Sequence, residues 1–72
     1  MNNNFLTDKQ KIAAAKRIIL KVYKEFPNNS YTQNALSAMV QDVASRRLVW
    51  IAVNELLVSG KIVLEGEKFK IK

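Results

Sequence analysis

The run R-R-L-V-W-I-A-V-N-E-L-L-V-S-G, from Arg46 to Gly60, constrains this chain more than any other stretch. It is the most apolar segment, it holds the single tryptophan, Trp50, and its apolar residues recur at helical spacing. Past Gly60 the pattern changes to alternation, so a long helix must end there and strands must begin. Helix 3 is expected over roughly Val43 to Ser59, with Asp42 as its cap. At 100° per residue, Val49, Ala52, Val53, Leu56 and Leu57 form its core face, and Arg47, Asn54 and Glu55 lie off it. Leu48, Ile51 and Val58 fall on the far side, more apolar surface than one core face requires. Either a neighbouring helix or a partner chain must cover them.

The remaining segments supply surfaces for that helix. Thr7 followed by Gln10 is a capping-box pair, which starts helix 1 near Asp8, with the Asp8 carboxylate at the positive end of the helix dipole. Ile12, Ala15, Ile19, Val22, Tyr23 and Phe26 form one apolar stripe. Lys9, Lys16, Arg17, Lys21 and Lys24 occupy the other faces. Pro27 with Asn28 and Asn29 stops the helix, since proline cannot continue the hydrogen-bond ladder. Ser30 with Gln33 repeats the capping box, predicting a second helix from Tyr31 or Thr32 to about Val40, with Ala35, Leu36, Met39 and Val40 inward.

Beyond Gly60 the chain reads K-I-V-L-E-G-E-K-F-K-I-K. Two alternating runs around Glu65-Gly66-Glu67 predict a β-hairpin, with Ile62, Leu64, Phe69 and Ile71 on an apolar face and lysines on the other. Residues 1–6 are expected to be a flexible N-terminus and residues 7–72 a single domain, mainly α with a small β-hairpin.

Composition narrows the function. A chain of 72 residues holds one core and buries only about 60 to 65% of its unfolded surface. Histidine and cysteine are both absent, which removes the common nucleophile, base and metal-ligand pairs. No enzyme, cofactor, metal or small-molecule substrate is expected. The lack of cysteine favours an intracellular, cytoplasmic setting, nucleoid-associated if the chain is bacterial or phage. Met1 to Phe5 does not read as a signal peptide, and the longest apolar run, Leu48 to Val53, is far short of the roughly 20 residues of a membrane span. The net charge of +6 is a strong positive field for so small a body and attracts polyanions. Helix 1 is an unpromising membrane or RNA surface, because its cations are spread over several faces.

The order helix, helix, tight turn, longer helix, glycine, basic hairpin resembles a winged helix-turn-helix domain, with three helices followed by a short two-stranded wing. The resemblance rests on the L-L-V-S-G-K-I step at Leu56 to Ile62 and on K-F-K-I at Lys68 to Ile71, and it covers nearly the whole chain from Ile12. The Leu-x-x-x-Gly step and the Phe-x-Ile ending are also similar to the globular domain of linker histones, whose wing is longer. Between helices 1 and 2, Asn29 to Tyr31 offers no more than a strand stub.

The resemblance implies double-stranded DNA as partner, with helix 3 in the major groove and the wing on the backbone. It implies Ser45, Arg46, Arg47, Asn54 and Trp50 at the groove. Lys61, Lys68, Lys70 and Lys72 would then contact the backbone, and Gln33 and Asn34 would face a phosphate. Arginine suits guanine or phosphate and asparagine suits adenine. The bland readings stand beside these: arginines solvated at a helix start, and lysines guarding an exposed strand edge. The competing function is protein docking through Leu48, Trp50, Ile51 and Val58, either on a larger complex or in a symmetric homodimer that doubles the positive surface. A small factor in transcription regulation or DNA maintenance is the expectation.

Overall fold

Local capping chemistry starts each helix. In the computed structural model, which describes residues 6–72, the Thr7 hydroxyl accepts from the Gln10 backbone N–H at 3.1 Å. The Gln10 side chain in turn accepts from the Thr7 N–H at 2.9 Å, completing the capping box. Helix α1 follows over Asp8–Glu25. Phe26 caps its C-terminus and Pro27 prevents continuation. Contrary to the apolar stripe read from spacing, Phe26 is 54% exposed, because it lies beyond the last helical turn and leaves the face it would have shared. Residues 1–5 of the expected flexible segment lie outside the described residues.

The next segment departs from the sequence expectation. Ser30–Tyr31 forms strand β1, and the cap of the second helix is Thr32, whose hydroxyl accepts from the Ala35 N–H at 3.2 Å. Helix α2 is accordingly shorter than expected, Gln33–Met39. Ser30 is a chemically adequate cap, but its backbone is used in a sheet. The helix thus begins at the next capping residue along the chain, Thr32. The turn after it is closed by the Val43 and Ala44 N–H groups, both donating to the Val40 carbonyl at 2.9 Å. Ser45, rather than Asp42, caps helix α3, which spans Arg46–Val58.

The end of α3 is a Schellman stop: Gly60 N–H donates to Leu57 at 3.1 Å and Lys61 N–H to Leu56 at 3.0 Å. Gly60 holds φ +79°, which a side chain would make costly. Strands β2 (Ile62–Glu65) and β3 (Lys68–Ile71) then pair antiparallel across Gly66. Among the described residues three strands are present where two were expected, in the order β1-β3-β2. Strand β1 pairs antiparallel with β3, Tyr31 opposite Phe69.

The core lies between the three helices and one face of this sheet. It comprises Ala15, Ile19 and Tyr23 of α1, Leu36, Val40 and Ala44, five residues of α3 from Leu48 to Leu56, and Ile62 and Phe69 of the sheet. The Tyr23 hydroxyl donates to the Phe69 carbonyl at 2.5 Å, and its ring packs on Tyr31 at 5.4 Å, tying α1 to both β1 and β3. Leu64, assigned to the inward face by alternation, is 53% exposed although it pairs with the buried Phe69, because it lies on the edge strand β2 and Phe69 on the central strand β3.

Candidate functional site

The tight α2–α3 connection brings the N-terminal ends of two helices to one place. Gln33, Asn34 and Ser37 of α2 face Arg46, Arg47 and Trp50 of α3 across a cleft of ≈ 280 Å³. A hollow of ≈ 210 Å³ adjoins it, lined among others by Asn34, Gln41, Ser45 and Arg46. The structure therefore gathers Gln33, Asn34, Ser45, Arg46, Arg47 and Trp50. Gln41, Ser37 and Ala44 also line this region and were not singled out from the sequence. They carry no chemical signature of their own and reach the cleft only through the turn.

The electrostatics of the cleft are one-sided. Arg46 and Arg47 are the first two residues of α3, the first turn holds no acidic residue, and the backbone dipole there is already positive. Two cations at that end oppose the dipole by about 0.3 to 1 kcal/mol each. Arg47 lies 3.7 Å from the Asp8 carboxylate, but both side chains are mostly exposed and such pairs contribute little. Arg46 forms no ion pair among the described residues. At the cleft's edge the Gln33 Oε1 is buried with no hydrogen-bond partner among the described residues. An unpaired buried acceptor costs about 1–3 kcal/mol, so an occupant that donates a hydrogen bond is favoured there.

Other expected residues lie elsewhere. Asn54 belongs to a second, more apolar groove of ≈ 450 Å³, with Lys16, Ile51, Glu55, Val58 and Ser59. There Lys16 Nζ sits 2.6 Å from Glu55. Of the four residues expected at a protein interface, Leu48 is only 4% exposed, so it is core and not surface. It belongs to the core cluster that α1, α2, α3 and the sheet share. Ile51 is half-buried, whereas Trp50 and Val58 are exposed at 52% and 89%. The outer face of α3 is therefore Arg46, Arg47, Trp50, Asn54 and Val58, more polar than spacing alone implied.

On the hairpin, Lys61, Lys68 and Lys72 are exposed, while Lys70, in the central strand, is half-buried with its Nζ 3.6 Å from Glu65. The Lys72 N–H donates to the Lys61 carbonyl at 3.2 Å, which sets these two cations side by side at the sheet's end. None of the four lysines lines either hollow of the α2–α3 cleft.

Among the described residues no group of His, Cys, Asp and Glu could hold a metal ion, and no helix is long and apolar enough to cross a membrane. No family model matches the chain, and neither a curated protein nor a solved structure matches it.

Proposed function

We propose that this chain is a winged helix-turn-helix domain that binds double-stranded DNA, with α3 as the recognition helix and the β2–β3 hairpin as the wing. The element order α1-β1-α2-α3-β2-β3, with β1 on the far side of β3, is consistent with that reading. The observation that carries it is the pair Arg46 and Arg47 at the positive end of α3, unfavourable in isolation and relieved by an arriving phosphate or guanine edge. Asn34 borders the same cleft and suits a phosphate or base edge, whereas the unpaired Gln33 Oε1 suits a donor such as a base amino group. Lys61, Lys68 and Lys72 supply backbone contacts, and Lys70, shared with Glu65, contributes less. Asn54, one groove away, meets the same duplex further along α3. Acting without enzyme chemistry or cofactor, such a domain serves transcription or DNA maintenance.

A second reading rests on Trp50 and Val58, whose exposure leaves an apolar margin on α3 for a second copy or a larger protein complex. One experiment separates the two. Trp50 fluorescence is titrated with random-sequence duplex at two salt concentrations, with sedimentation of the free protein alongside. DNA binding predicts an affinity that falls by about 0.9 log units per log unit of salt for each phosphate contacted. No binding at low salt would refute it, and self-association through α3 would then favour the second reading.

A further inference from the structure

Two interhelical ion pairs mark how α1 lies against α3. Asp8 meets Arg47 and Lys16 meets Glu55, so the same step of eight residues separates the contacts on both helices, in the same direction. The helices therefore run side by side and point the same way, with contacts about 12 Å apart along each axis. Midway between them, Ile12 and Ile51 are half-buried.

Rotation follows from this seam at 100° per residue. On α3, Val49, Ala52, Val53 and Leu56 lie on the core side of the seam, and Arg47, Trp50, Asn54 and Val58 on the other. On α1, Ala15 and Ile19 lie on the core side. Lys9, Lys24 and Arg17, all exposed, fall on the other, and the exposed Lys21, opposite Ile12, closes the same arc of about 120°. Because the helices are parallel, both outer arcs open on the same side of the molecule. The scatter of α1 cations expected from the sequence is thus resolved into a stripe: Lys16, which falls outside the arc, is drawn to Glu55, and Lys11 is half-buried on the opposite side. The four stripe residues form no ion pair among the described residues.

We infer that this α1 stripe is a second phosphate track for the same duplex that α3 contacts, an inference that rests on the DNA-binding reading. Packed helices lie about 8–10 Å apart, less than the ≈ 12 Å width of the major groove, so a duplex seated on the outer face of α3 brings a backbone rim over α1. The stripe runs about 22 Å from Lys9 to Lys24, long enough to follow several phosphates of one strand. Its apolar content is small, Ala13 and a half-buried Leu20, and the true apolar face of α1 is spent in the core, so charge and not insertion selects the partner.

The test is the salt dependence of binding to a labelled random-sequence duplex. The combined variant Arg17→Gln, Lys21→Gln, Lys24→Gln should lower the slope of log affinity against log salt by about 2.7, at 0.9 per lost contact. Its thermal midpoint should match the wild type, and Lys11→Gln, on the other side of α1, should leave the slope unchanged. A triple-variant slope within about 0.5 of the wild type overturns the inference while leaving DNA binding intact. A wild-type protein that does not bind the duplex at low salt refutes both, so the two failures are distinct.

Discussion

Replacing Tyr23 with phenylalanine tests how the sheet is held beneath the helices. The Tyr23 side chain is 1% exposed, and its hydroxyl donates to the carbonyl of Phe69 in the central strand. Burial, with a smaller effect from the nearby Tyr31 phenol, pushes its pKa up from 10.0 to about 12. The folded protein therefore keeps this proton to higher pH than the unfolded chain. Its contribution is fully present below about pH 10 and is lost as pH rises through about 12. The loss is on the order of 1 kcal/mol at pH 11 and approaches about 3 kcal/mol above pH 12. At pH 8, Tyr23→Phe should cost about 0.5–1.5 kcal/mol, the net value of one hydrogen bond. The variant has no phenol to ionise there, so its disadvantage should shrink to near zero at about pH 11 and then reverse. Lysine titration occurs in both proteins and cancels in the difference. Urea unfolding followed by far-UV circular dichroism at pH 8 and pH 11 measures that difference directly. A gap between wild type and variant that stays constant with pH would show that the Tyr23 hydroxyl reaches solvent, and the reasoning would fail.

Two further substitutions probe points where structure and sequence pattern part. Leu48→Ala should destabilise the domain by about 2–5 kcal/mol, a large share of the total for a chain this small, because it empties a site in the shared core. A loss below about 1 kcal/mol in chemical denaturation would return Leu48 to the surface. Thr32→Ala should cost about 1 kcal/mol through the lost Ala35 cap, whereas Ser30→Ala should stay within about 0.5 kcal/mol. Equal effects would mean that both hydroxyls share the capping.

The sequence by itself determined whatever depends on neighbours a few residues apart. The Thr7–Gln10 box, the helical spacing of α1 and α3, the glycine at which α3 stops and the alternation of the hairpin are all interactions within one or two turns, and each is present. The arginines at the head of α3 and the lysines of the hairpin were legible for the same reason. Only the tertiary structure decided what depends on distant partners. Pairing with β3 took Ser30 and Tyr31 into a strand, so the cap of α2 passed from Ser30 to Thr32. Packing of the helices made Leu48 core and left Trp50 and Val58 outside. The Lys16–Glu55 pair joins residues 39 apart and Tyr23–Phe69 residues 46 apart. No local pattern encodes such pairs, because the free energy that selects them comes from closing one shared core and is not assigned to any single segment until the whole chain has packed.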